Sequence, residues 1–122
     1  MAFNSIPTRV MVISDTHEYF FDGATVPQVD MIFHTGDLTN FGKLDSLRES
    51  IKMIGTIEAE LKLVIAGNHD VSLDKTRRVE NMSEEEYSKY HEIALEIMMG
   101  PLSQRRRCYV SRRRYSHVHP EL

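Results

Sequence analysis

Cysteine is almost missing from this chain: Cys108 is the single thiol in 122 residues. One thiol cannot close an internal disulfide or build a cysteine-based zinc site, and a reducing cytoplasm is the default location that follows. Long apolar runs are missing too. No stretch approaches the roughly 20 residues that span a bilayer, which excludes an integral membrane protein. The opening segment MAFNSIPTRV lacks an apolar signal core, so secretion by the usual route is not expected. What remains is ordinary: 41% hydrophobic and 27% charged residues, in a length that suits one domain with room for a tail. The net charge of −3 conceals an asymmetry. Residues 1–100 hold nine Lys and Arg against seventeen Asp and Glu, whereas residues 101–122 hold six Arg and one Glu. An acidic body gives no nucleic-acid footprint; only the basic tail could.

Three short apolar runs read as strands: RVMVIS (9–14), VDMIFHT (29–35) and LKLVIA (61–66). Being continuous rather than alternating, they suit a sheet covered on both faces. Between the second and third runs, Leu44, Leu47, Ile51, Ile54, Ile57 and Leu61 recur at spacings of three and four, the stripe of an amphipathic helix. Strand, helix, strand in that order implies a right-handed parallel crossover. A second helix is predicted from Ser83 with Glu86, a capping box, through Tyr87, Tyr90, Ala94, Ile97 and Met98 to a stop at Gly100-Pro101. The connection from Asp15 to Val29, with Gly23 and Pro27, reads as a loop.

Each run is closed by a polar cluster: Ser14-Asp15-Thr16-His17, Gly36-Asp37 and Gly67-Asn68-His69-Asp70. Side chains just past the carboxyl ends of neighbouring parallel strands converge on one rim. Carboxylates, imidazole and an amide oxygen form a mixed N/O ligand set that suits Mn, Fe, Zn or Mg rather than thiolate-seeking metals. Taken singly, each cluster also reads as turn chemistry: Asp as a turn cap, Gly-Asp as a turn, Gly-Asn as a tight loop. Three in order, each ending a predicted strand, favour the site. His34, inside an apolar run, reads as a hydrogen-bonded core histidine, and His91, among glutamates on the second helix, as a surface residue.

With the flanks VISDTHE, FHTGDLTNFG and VIAGNHD, these clusters resemble the first three signature blocks of the calcineurin-like metallophosphoesterases, notably small soluble members including fungal ones. The resemblance covers residues 9–100. It implies an α/β fold, here a partial metallophosphoesterase sandwich: a parallel βαβ core with an additional helix. It implies two divalent metal ions about 3.5–4 Å apart, which activate water and clamp the phosphoryl oxygens during in-line attack. Carried onto this sequence, Asp15, His17 and Asp37 bind one ion, and Asp37 and Asn68 the second. His69 protonates or stabilises the leaving oxygen. Asp70 either orients His69 or caps the loop. The implied substrate is a small phosphate ester, monoester or diester, and no membrane is involved.

The later family blocks, a strand-end His and a Gly-His-x-His, have no clear counterpart. Ser116-His117-Val118-His119 imitates the last one, but Ser replaces Gly and no apolar strand precedes it. The expected division is therefore residues 1–101 as the N-terminal part of a phosphoesterase domain and 102–122 as an Arg-rich, disordered tail. A change of splice or reading frame near Leu102 would account for the switch in composition, and sequencing the transcript across residues 98–110 checks it. Missing ligands predict weak metal occupancy and weak or absent activity. The alternative is a non-catalytic truncated product or interaction module that uses arginines in residues 105–114 to grip nucleic acid or an acidic partner. A solvated tail is the reading preferred for that stretch.

Overall fold

The computed structural model describes residues 4–77, 79–105 and 108–110. The three apolar runs become β1 (Val10–Ile13), β2 (Met31–His34) and β3 (Leu61–Val64), joined by a fourth strand, β4 (Cys108–Val110). All pairings are parallel, in the order β1-β2-β3-β4. The register aligns Ile13 with His34 and His34 with Val64, so the first three strands end level and release their loops at one rim.

The predicted stripe folds as α1 (Leu44–Thr56), which buries Leu47, Ile51, Met53 and Ile54. Each such side chain contributes roughly 1.5–3 kcal/mol when fully withdrawn from water. The helix ends earlier than the stripe suggests. Ile57 is extended (φ −73, ψ 131), and Leu61 opens β3 instead of closing the helix. At this end Lys62 Nζ donates to the carbonyl of Gly55, 3.0 Å away. A cation there suits both the exposed last carbonyls and the negative helix terminus.

α2 (Glu84–Met99) starts on the predicted capping box: Ser83 Oγ accepts from Glu86 N–H, and Glu86 Oε2 accepts from Ser83 N–H. It packs beside α1, and its Ala94 and Met98 join Leu47, Ile51, Ile54 and Val64 in one core. His91, expected on the surface, is buried. Its Nδ1 lies 2.8 Å from the Ser72 carbonyl and its ring stacks on Tyr87. The glutamates around it occupy the helix's other face, while a turn at residues 71–73 covers this one. Tyr87 donates to the carbonyls of Val71 and Asp74, and Tyr90 to that of Gly42. α2 therefore fastens the loops that leave β2 and β3.

In the stretch expected to be tail from residue 102, the described residues carry α3 (Pro101–Arg105) and β4. Gly100 ends α2, but Pro101 then begins a new helix, since its missing N–H is no loss at a first helical position. Cys108 joins the core, and Ser103 Oγ donates to its carbonyl at 2.8 Å. Arg106, Arg107 and residues 111–122, including His117, His119 and the arginines 112–114, lie outside the described residues.

The sheet is not covered on both faces among the described residues. Burial alternates along β2 and β3, with Ile32, His34, Lys62 and Val64 turned to the helices. On β1, an edge strand, Val10 and Val12 are 45% and 63% exposed. By register they share a face with Met31, Phe33, Leu61 and Leu63.

Candidate metal centre

The rim at the strand ends is assembled by backbone first. Beyond β1 and β2 the two loops continue side by side: Asp15 N–H donates to Gly36 O, His17 N–H to Asp37 O and Glu18 N–H to Leu38 O, all at 3.0–3.1 Å. To do so the chain takes left-handed conformations at Asp15 (φ 56), His17 (φ 42), Glu18 (φ 64) and Asp37 (φ 57). Non-glycine residues are uncommon there and costly to hold, and such positions cluster at functional sites. The loop after β3 presses on the second loop through two glycines. A Cβ on Gly36 would lie 2.7 Å from the Gly67 backbone, and one on Gly67 would lie 2.2 Å from Asp37 Oδ1. Only hydrogen fits at either place.

Asp70 locks the three-loop arrangement from below. It is 1% exposed. Its Oδ2 accepts from the N–H groups of Leu38 and Gly67 at 3.1 and 2.9 Å, and its Oδ1 from Thr39 N–H and Thr39 Oγ at 2.9 and 2.8 Å. Of the two roles expected for Asp70, these bonds belong to loop capping, and no bond from Asp70 to the His69 ring accompanies them among the described residues. The carboxylate caps the loops, and the His69 ring turns elsewhere: its Nδ1 lies 3.0 Å from the carbonyl of Asn40.

Asp15, His17 and Asp37 come together, each offering a ligand atom within 4.8 Å of the others. His17 Nε2 is 3.4 Å from Asp15 Oδ1 and 3.9 Å from Asp37 Oδ2. The other oxygen of each carboxylate is engaged: Ser14 Oγ donates to Asp15 Oδ2, and His69 N–H donates to Asp37 Oδ1 at 2.9 Å. The Ser14 hydroxyl, together with Asp37 and His17, holds the Asp15 carboxyl below its ordinary range. His17 Nδ1 faces the Thr39 carbonyl at 3.3 Å. A carbonyl only accepts, so Nδ1 carries the hydrogen and Nε2 is the ring atom turned toward the two carboxylates.

This donor set fits a divalent cation. Two carboxylate oxygens and a neutral imidazole nitrogen offer the hard-to-borderline N/O chemistry that such ions take, and the backbone carbonyl behind His17 selects the ligating tautomer. Asn68 stands exposed on the turn between Gly67 and His69, both of which touch Asp37. The His69 ring meets His17 edge to face, with centroids 4.8 Å apart. His34 is the core histidine expected. Its Nδ1 accepts from Gly36 N–H and its Nε2 pairs with Thr16 Oγ at 2.9 Å, while burial pushes its pKa below the usual histidine value.

Three supporting residues carry no sequence signal of their own. Thr39 and Asn40 meet the two imidazoles through their carbonyls, which any residue supplies, while their side chains bond Asp70 and Glu18. Glu18 accepts from the Asn40 amide and the Ser46 hydroxyl, and the Ser46 bond is the main reason its carboxyl titrates low.

Comparison with known proteins agrees with this arrangement. Residues 8–109 match the family model described as calcineurin-like phosphoesterase. A UPF0046 protein of Caenorhabditis elegans is 40% identical over 77 residues, covering 58% of this chain and 26% of that protein. Metallophosphoesterase domain-containing protein 1 of Homo sapiens is 35% identical over 68 residues, covering 56% of this chain and 21% of its own length. The matched stretch thus spans about a quarter of the length of these two relatives. No helix among the described residues is long and apolar enough to cross a membrane.

Proposed function

The chain belongs to the calcineurin-like phosphoesterase family, and from that premise we propose that its strand-end rim serves metal-dependent hydrolysis of phosphoric esters, monoesters or diesters. One observation carries the reading: Asp15, His17 and Asp37 converge within 4.8 Å although they lie on two separate loops. Asp15, His17 and Asp37 hold one divalent ion, Mn, Fe, Zn or Mg, and Asp37 with Asn68 reaches a second. When bound, such ions polarise a phosphoryl oxygen, neutralise its charge and supply an activated water.

The chain's own groups do the rest. The peptide N–H of His69 fixes one oxygen of Asp37, so the other stays aimed at the ligand group. Ser14 does the same for Asp15. The carbonyl of Asn40 takes the hydrogen on His69 Nδ1, so Nε2 is the free ring atom; it takes a proton from solvent, and the resulting imidazolium passes that proton to the departing ester oxygen. Asp70 keeps the rim assembled without touching the reacting groups. Among the described residues the second ion has two ligands, so turnover is slow. A small phosphate ester is the substrate class, and a reducing cytoplasm is the location that the single, buried Cys108 supports.

The test is calorimetric titration of Mn²⁺ into the purified chain, paired with hydrolysis of bis(p-nitrophenyl) phosphate. Asp37→Asn is expected to weaken metal binding at least tenfold and to remove hydrolysis. Equal rates in the two proteins would defeat the assignment.

A further inference from the structure

We propose that Tyr19 and Phe41 form an aromatic collar beside the metal centre that selects phosphate esters whose leaving group carries a flat, unsaturated ring. This inference rests on the phosphoester reading above and adds a specificity to it. The starting observation is where aromatic surface is left open. Among the described side chains, three Phe and Tyr residues are exposed: Tyr19 at 71%, Phe20 at 46% and Phe41 at 73%. All three lie on the two loops that supply the ligand group, two or three residues after His17 and four after Asp37. The adjacent Phe21 packs against the core instead, so this segment does not expose aromatics indiscriminately.

Tyr19 and Phe41 sit on stretches of the two loops that are bonded to each other one residue before each of them. Glu18 N–H donates to Leu38 O, and the Glu18 carboxylate accepts from the Asn40 side-chain amide. Tyr19 and Phe41 each follow one partner of that cross-link. Tyr19 N–H closes a turn onto Thr16 O at 2.7 Å, and the Asn40 carbonyl takes the His69 imidazole. Phe41 thus follows the residue that holds His69, and Tyr19 lies two residues after the ligand His17, so both belong to the loop segments that carry the two imidazoles. The ligand group itself is built of carboxylates and imidazole and recognises charge, with nothing to hold an apolar leaving group. The exposed rings of Tyr19 and Phe41 on these segments supply π surface that discriminates a planar unsaturated group from an alkyl or sugar one.

A flat ring can belong to an aryl group or to a nucleobase, and binding to the Mn²⁺-loaded chain separates them. Two matched pairs of probes are titrated by calorimetry: phenyl phosphate against methyl phosphate, and adenosine 5′-monophosphate against ribose 5-phosphate. The ring-bearing member of at least one pair is expected to bind about tenfold more tightly, and the pair that shows the gain identifies the source of the ring. Tyr19→Ala with Phe41→Ala removes that gain and leaves methyl phosphate and ribose 5-phosphate unchanged. Tyr19→Phe with Phe41→Tyr keeps it. Both positions are exposed, so these variants fold. Equal affinity within both pairs overturns the collar and leaves the phosphoester reading standing. A ring preference that survives the double alanine variant overturns the assignment to these residues. If Mn²⁺ binds and none of the four phosphates does, the phosphoester reading fails and the collar fails with it.

Discussion

Replacing Asp70 by asparagine tests how the rim is held together. The carboxylate accepts four hydrogen bonds, from the N–H groups of Leu38, Thr39 and Gly67 and from the Thr39 hydroxyl, at 2.8–3.1 Å and with 1% exposure. Asparagine keeps the volume and one oxygen, so the two Thr39 bonds survive in one orientation. The amide NH₂ then points at the donors of Leu38 and Gly67, which lose their acceptor. Each orphaned buried donor costs roughly 1–3 kcal/mol, and bonds to a charged acceptor lie at the upper end. A loss of about 3 kcal/mol follows, a large share of the 5–15 kcal/mol typical of a domain. With a urea slope of about 1.5 kcal/mol per molar, the unfolding midpoint falls by about 2 M. Far-UV circular dichroism during urea titration measures it. The competing role, a carboxylate that orients His69, predicts the reverse: a changed pH profile of hydrolysis with the midpoint in place. A midpoint within about 0.3 M of the parent would refute the structural role.

The glycine contact at Gly67 makes a second prediction. In Gly67→Ala the new methyl meets Asp37 Oδ1 and N at 2.2 and 2.3 Å, so the ligand must move; Mn²⁺ affinity should drop at least tenfold by calorimetry, and an unchanged affinity would show that Asp37 is not a ligand. His34 gives a pH dependence. Burial lowers its folded pKa below 6.5, so the folded state favours the neutral ring. Its stability contribution is complete above pH 6.5 and is lost as pH falls from there toward the folded pKa, before most carboxylates titrate. Thermal melts between pH 8 and 5 should show the midpoint declining below 6.5, and a flat profile would contradict a buried neutral His34. On the open face, Val10 and Val12 leave an apolar edge uncovered among the described residues. The 122-residue chain should bind anilinonaphthalene sulfonate and self-associate in light scattering, and Val12→Lys should reduce both. A monodisperse chain that binds no dye would speak against it.

What the sequence discloses is the part written in side chains at fixed spacing. The strands at 10–13, 31–34 and 61–64, the α1 stripe and the Ser83–Glu86 box depend on hydrophobic period and capping chemistry, which act locally. The convergence of Asp15, His17 and Asp37 follows because parallel strands in register must release their loops together. The misread features depend on what packs from elsewhere. His91 is buried because the turn at 71–73 folds over it, and a helical wheel with glutamates on either side gives no hint of that lid. α3 and β4 were hidden by arginines, whose charge masks a short apolar contribution from Leu102 and Cys108. The continuous apolar runs suggested a sheet covered twice, yet burial alternates, because composition records what a face can tolerate and not what stands against it.

The supports of the site were the least legible, for a related reason. The Thr39 and Asn40 carbonyls choose the tautomers of His17 and His69, and a carbonyl is common to every residue type. Asp70 lies next to His69 in sequence, which invites a catalytic pairing, but its bonds run to Leu38, Thr39 and Gly67. Adjacency along the chain sets which groups are near; the left-handed turns at Asp15, His17 and Asp37 set which way they face. A ligand set is therefore predictable from three motifs, whereas its orientation belongs to backbone that only folding arranges.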